Sequence, residues 1–248
     1  MDKKLNELDE FARSTLGETP ELVEMLGILN SESAEEQFQE NLTLYLGRKN
    51  LPKKIVPLIA LSVSLGNGQN DSAIMHYRLA KKFGANNLEI LDAIRATKMA
   101  LMANTLSTIS VIEPIVPGFS AGAAKNAETE KIRENMAKNS NVENVPENLK
   151  ILSRISFDLF NEHIREQNSL FSSFAIERKY IYLIAFSVSY TLRDVECTRA
   201  YLTQFFKFGG NTGEMEDAMA VTRFIRGNRA ITSATEILKM MATGRDGK

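Results

Sequence analysis

Lys54-Ile-Val-Pro-Leu-Ile-Ala-Leu-Ser-Val-Ser64 returns 125 residues later as Lys179-Tyr-Ile-Tyr-Leu-Ile-Ala-Phe-Ser-Val-Ser189, with seven of eleven paired positions identical. A second block keeps the same offset without a gap. Lys82-Phe-Gly-Ala-Asn-Asn-Leu-Glu-Ile-Leu-Asp-Ala-Ile-Arg-Ala-Thr97 pairs with Lys207-Phe-Gly-Gly-Asn-Thr-Gly-Glu-Met-Glu-Asp-Ala-Met-Ala-Val-Thr222, and eight of those sixteen pairs are identical. Chance does not hold one register across two separated blocks, so the chain reads as a tandem duplication. The nearly continuous apolar character of Ile55 to Val63 implies an element buried on most sides. A helix is preferred to a buried strand, because neither alternation nor a hairpin turn lies nearby. Pro57 removes a backbone donor, so that helix either kinks or starts later than Pro52.

Working outward, every periodic segment is helical. Leu5, Leu8, Phe11 and Ala12 recur at helical spacing, and Thr19-Pro20-Glu21 has the pattern of an N-cap with proline at the first helical position. Ser33-Ala-Glu-Glu36 has capping-box spacing before Phe38, Leu42 and Tyr45, with Gly47 as a stop. After Gly66-Asn67-Gly68, any of Asn70, Asp71 or Ser72 can cap a helix over 72–83, which Gly84 ends. A long helix follows from Asn86 towards Ile112, before Pro114 and Pro117. The second half repeats the order, with helices expected over Arg178–Tyr190, Asp194–Phe208 and Glu214–Leu238. The fold class expected is all-α, with a first helical unit over residues 1–117 and a second over 146–248. Residues 118–145 form the connection, partly a solvated helix around Glu128–Ala137.

The totals narrow the function. The chain has 248 residues, 44% of them hydrophobic, which suits two units with a sizeable core. Thirty Lys and Arg against 31 Asp and Glu leave a formal net charge of -1 and no basic excess for sequence-independent nucleic-acid binding. The longest apolar run is too short to cross a bilayer, and the N-terminus lacks the apolar core of a signal peptide, so a cytoplasmic location is expected. The single cysteine, Cys197, excludes an intramolecular disulfide and a Cys-x-x-Cys pair. No metal or cofactor is expected, and His163 has no cysteine or second histidine at ligand spacing.

The ordered features Leu58-Ile-Ala-Leu-Ser-Val-Ser64, Asn67-Gly68, His76, Phe83-Gly84-Ala85 and Glu89-Ile90 resemble the carboxymuconolactone decarboxylase / AhpD-like (alkylhydroperoxidase D-like) family. The resemblance covers about sixty residues in each half. It implies two AhpD-like units packed as an intramolecular pseudo-dimer, and an oligomer in which three duplicated chains make a ring. Redox-active members carry Cys-x-x-Cys, then three residues, then histidine, with a glutamate in the preceding helix. Here the cysteine positions hold Gln69 and Ser72 in the first half and Asp194 and Cys197 in the second. Histidine is kept as His76 and replaced by Tyr201, while the glutamate positions fall on Pro57 and Tyr182. Dithiol cycling within one chain is therefore impossible.

Each surviving candidate has two readings. His76 lies four residues after Ser72 on one helix face. It is either a general acid/base acting on a small carboxylated or lactone-like molecule, as the resemblance suggests, or a packed, hydrogen-bonded histidine. Ser72 is a helix cap or, given a base, a nucleophile. Cys197, near a helix N-terminus with Arg193 and Arg199 beside it and Asp194 and Glu196 opposing them, is an inert thiol or a single-cysteine, peroxiredoxin-type antioxidant site. A member degenerate in its active site, kept for binding or assembly, is the competing class. Glu89, Glu214, Asp92 and Asp217 recur in both halves and suit structural duty.

Overall fold

Pro57 sits in the first turn of its helix, where the missing N–H has no intrahelical acceptor to lose. The helix begins at Ile55, three residues after Pro52, and every residue from Ile55 to Ser64 is buried. The computed structural model describes residues 21–116 and 146–244 together with Glu10 and Arg13, and among these no residue lies in a strand. The expected helix around residues 5–12, the Thr19 cap, the 118–145 connection and the tail beyond residue 244 lie outside the described residues.

In chain order the helices are α1 (Glu21–Leu29), α2 (Ser31–Glu40), a π-helical turn (Asn41–Leu46), α3 (Ile55–Gly66), α4 (Asn70–Lys82) and α5 (Asn87–Asn104). After two short 3₁₀ turns around α6 (Ile109–Ile112) come α7 (Glu147–Ile155), α8 (Phe157–Leu170), α9 (Arg178–Thr191), α10 (Val195–Lys207), α11 (Thr212–Ser233) and α12 (Thr235–Thr243). The long helix expected to reach Ile112 stops at Asn104, and the one expected to reach Leu238 breaks at Ala234. In both places Thr hydroxyls bond back to backbone carbonyls, Thr105 to Met102 and Thr235 to Thr232, offering the chain an alternative to the helical ladder.

The chain divides into two compact units that are not its two continuous halves. Described residues up to Ile90 and from Asn211 onward form one, and those from Leu91 to Gly210 form the other. In the first, α11 packs on α3 and on the π-helical turn, while α4 lies along α3. In the second, α9 and α10 pair, and α7 packs on α8. A separate apolar cluster of Ile109, Leu149, Ile151, Leu152 and Phe160 ties α6, α7 and α8 together. Each unit thus takes its third long helix from the other half of the sequence.

The recurring acidic residues explain how those helices are seated. Asp217 of α11 is fully enclosed and accepts from the backbone N–H groups of Asn50 (2.7 Å) and Leu51 (3.1 Å) and from Arg48 Nε (2.8 Å). Burial alone would raise its pKa, but the hydrogen bonds from Arg48 and Asn50 outweigh that and hold it below the ordinary value. Asp92 of α5 takes the backbone N–H groups of Phe174, Ala175 and Ile176 in the same way, the last two at 2.8 and 3.0 Å. Both carboxylates therefore organise the loop that feeds a buried helix, α3 or α9. Glu89 and Glu214 close capping boxes. Asn86 Oδ1 accepts from Glu89 N while Glu89 Oε2 accepts from Asn86 N, and Asn211 with Glu214 repeats the arrangement.

Candidate functional site

In the first unit the turn after α3 is held by Gln69 N donating to Ser64 O at 2.9 Å, so α4 begins at Asn70, earlier than the capping residues suggest. Gln69 is the N-cap, without a side-chain bond of its own to the helix. Ser72 is therefore not the cap. It lies inside the first turn, buried, with its hydroxyl 2.9 Å from that of Ser64. No described base reaches Ser72, which leaves it without the proton acceptor a nucleophile requires.

One turn on, His76 is fully enclosed. Its Nδ1 is 2.8 Å from the Tyr45 hydroxyl, and the two rings meet edge to face at 5.2 Å. Tyr45 is in turn stacked on Phe224 of α11 at 5.5 Å. His76 Nε2 has no partner among the described residues. Burial lowers the imidazole pKa to about 3, so the ring is neutral throughout the physiological range.

The equivalent helix start in the second unit is built differently. Asp194 is a true N-cap, accepting from Cys197 N at 3.0 Å, and is itself enclosed. Cys197 is buried on α10, and its thiol is pushed far above the ordinary value, first by burial and then by the Asp194 charge. The expected thiolate-favouring effect of the helix N-terminus is overridden. Arg199, which was to assist it, is largely exposed and pairs loosely with Glu196 at 3.8 Å. Tyr201 stands where the first unit has His76 and hydrogen-bonds Cys197. Its ring meets Phe171 at 5.3 Å, and Phe171 meets Tyr182 at 5.1 Å, so aromatic packing fills the place of the family's histidine and glutamate.

Beside Cys197 and Tyr201 opens a small cleft, its water-sized space about 40 Å³, whose wall also includes Asn148 of α7 and His163 of α8. His163 is nine-tenths buried, and burial lowers its pKa to about 4. Tyr45, Asn148 and His163 were not legible as site residues. Tyr45 reads as one more member of an apolar stripe, and Asn148 and His163 sit in unrelated helices with no spacing to link them. Among the described residues, no group of three or more His, Cys, Asp or Glu side chains is placed to hold a metal ion. No described helix is long and apolar enough to cross a membrane.

An all-helical architecture with a helix-start site beside a buried organising helix defines the class. Residues 35–107, the segment that holds Tyr45, Ser64, Ser72 and His76, match the carboxymuconolactone decarboxylase family model. The whole fold is similar to the crystal structure of a proposed gamma-carboxymuconolactone decarboxylase subunit from Burkholderia xenovorans LB400. The TM-score is 0.81, the identity 14%, and 98% of each chain is covered. At that identity the likeness is one of fold. No curated protein matches the chain in sequence.

Proposed function

We propose that this protein is a carboxymuconolactone decarboxylase family member that performs neither dithiol redox chemistry nor proton-transfer catalysis at His76, and that it acts by binding a small molecule. The observation that carries this reading is the enclosure of His76, whose Nδ1 is taken by Tyr45 and whose pKa lies near 3. A general acid or base must come within hydrogen-bond reach of its substrate. The antioxidant reading is weakened by the same physics, since a single-cysteine peroxide reaction starts from thiolate, and burial and Asp194 hold Cys197 as thiol.

The test is turnover. Purified protein is incubated with a carboxylated muconolactone and, separately, with hydrogen peroxide plus a thiol reductant. No acceleration is expected for the wild type, His76→Ala or Cys197→Ser. Lactone turnover that disappears in a folded His76→Ala variant would establish the acid/base enzyme instead. Peroxide consumption that disappears in Cys197→Ser would establish the antioxidant.

A homo-oligomer, as a trimer of duplicated chains, completes the proposal. Ile74, Met75 and Tyr77, exposed on α4, are the kind of side chains that such contacts cover. Light scattering that shows a strict monomer overturns this part alone.

A further inference from the structure

Building on the binding reading above, we propose that the cleft between α7, α8 and α10 of the second unit takes a small uncharged molecule bearing a hydroxyl or primary amide, and rejects carboxylates. The polar wall points to this. Asn148 is 8% exposed, and its Oδ1 has no hydrogen-bond partner among the described residues. An unmet buried acceptor is a standing cost that a donor from a ligand removes. His163, 9% exposed, lines the same space. As a neutral imidazole it offers one donor and one acceptor. A hydroxyl or a primary amide carries both functions, so it satisfies His163 in either tautomer and the Asn148 carboxamide in either orientation.

Charge decides against an anion. Among the described residues, no lysine or arginine lines the cleft, and the one charged side chain on its wall is Glu196. A carboxylate entering here would lose its hydration, meet no counter-ion and face a like charge. Size sets the rest. About 40 Å³ of space for water centres holds roughly three water molecules, so the ligand has only a few heavy atoms. Leu106, Leu149 and Ala200 supply an apolar wall for a methyl group.

Acetamide and acetate form a matched pair of probes, alike in shape and differing in the donor and the charge. Each is titrated at constant ionic strength into the full-length protein while its amide ¹H–¹⁵N spectrum is recorded. Acetamide is expected to give saturable shifts for α8 and α10 with a millimolar dissociation constant, and acetate to bind about tenfold more weakly or not at all. Asn148→Leu is expected to weaken acetamide by about tenfold. Should that variant fail to fold, Ala200→Leu, which fills the space from α10 without removing a polar group, is expected to abolish the response. Equal response to acetate, no saturation by acetamide, or acetamide binding unchanged in the folded variants overturns the assignment. Lactone turnover in the preceding test would overturn the non-catalytic reading and leave the acetamide result standing. Failure of the titration overturns the ligand class alone.

Discussion

The Tyr45 hydroxyl lies 2.8 Å from His76 Nδ1 and closes the first unit's helix-start position from the side of the π-helical turn. Gly47 permits that turn. Its N–H donates to Leu42 O across five residues, and a Cβ there would stand 2.2 Å from the same oxygen. The contact that closes the site is thus made by a local irregularity in the helix (Asn41–Leu46).

Removing the hydroxyl exposes the value of that contact. Tyr45→Phe keeps the stacking on Phe224 but leaves Nδ1 of an enclosed imidazole without a partner. A loss of about 1–3 kcal/mol is expected, the cost of an unmet buried polar group. Urea denaturation read by circular dichroism measures it. A variant as stable as the wild type would show that the hydrogen bond contributes nothing net.

The buried histidines predict an acid-side loss of stability. His76 falls from 6.5 to about 3 and His163 from 6.5 to about 4 in the folded protein. Above pH 6.5 both states are neutral and there is no effect. As pH falls below 6.5 the unfolded chain takes up protons that the fold refuses, so stability declines until the folded pKa is reached. Each histidine contributes a slope of about 1.4 kcal/mol per pH unit in that window. His76→Gln is expected to remove one such slope between pH 6 and 4. Urea midpoints collected at half-unit pH steps test this, and a variant profile parallel to that of the wild type would refute it.

Much of the fold was legible because its signals are local. The apolar run from Ile55 to Val63 states that α3 is buried, and the offset of 125 residues predicts a second such helix at α9. Asn86 with Glu89, and Asn211 with Glu214, mark helix starts through the short reach of their own side chains. What hydrophobic period cannot state is which partner covers an apolar face. Asp217 seats α11 against Asn50 and Leu51, more than 160 residues earlier, so residues continuous in sequence separate into different units. The site failed for the same reason. Tyr45, Asn148 and His163 acquire meaning only from neighbours that are remote along the chain, and Cys197 is buried, which spacing does not report.

The two seating carboxylates invite a paired test. Asp217→Asn and Asp92→Asn keep the shape of the side chain but place an amide donor against backbone N–H groups and remove the charge. Each is expected to cost about 3 kcal/mol, as for breaking one partner of a buried charged hydrogen-bond network. Asp217 is held below its ordinary pKa when folded, so its contribution is present above the unfolded value and is lost as pH falls through the folded one. The gap between wild type and Asp217→Asn is therefore expected to narrow below about pH 4. A gap constant from pH 7 to 3 would show that the carboxylate's charge is not what stabilises the loop.

Gly68 follows α3 with φ 71°, and Arg193 follows α9 with φ 62° at the same offset in the repeat. The left-handed region costs an L-residue roughly 1–2 kcal/mol, whereas glycine enters it freely at the expense of greater unfolded-state entropy. Arg193 is exposed, and no hydrogen bond of its guanidinium to a described residue competes with that strain. Arg193→Gly is therefore expected to stabilise the protein by about 0.5–1 kcal/mol, the difference of the two terms. Gly68→Ala is expected to destabilise by about 1 kcal/mol through backbone strain alone, because a Cβ there meets nothing within 4 Å. Opposite shifts in the urea midpoint, read on the two variants side by side, are the expected result. Destabilisation by Arg193→Gly would mean that the arginine side chain secures the turn in a way that outweighs its backbone strain.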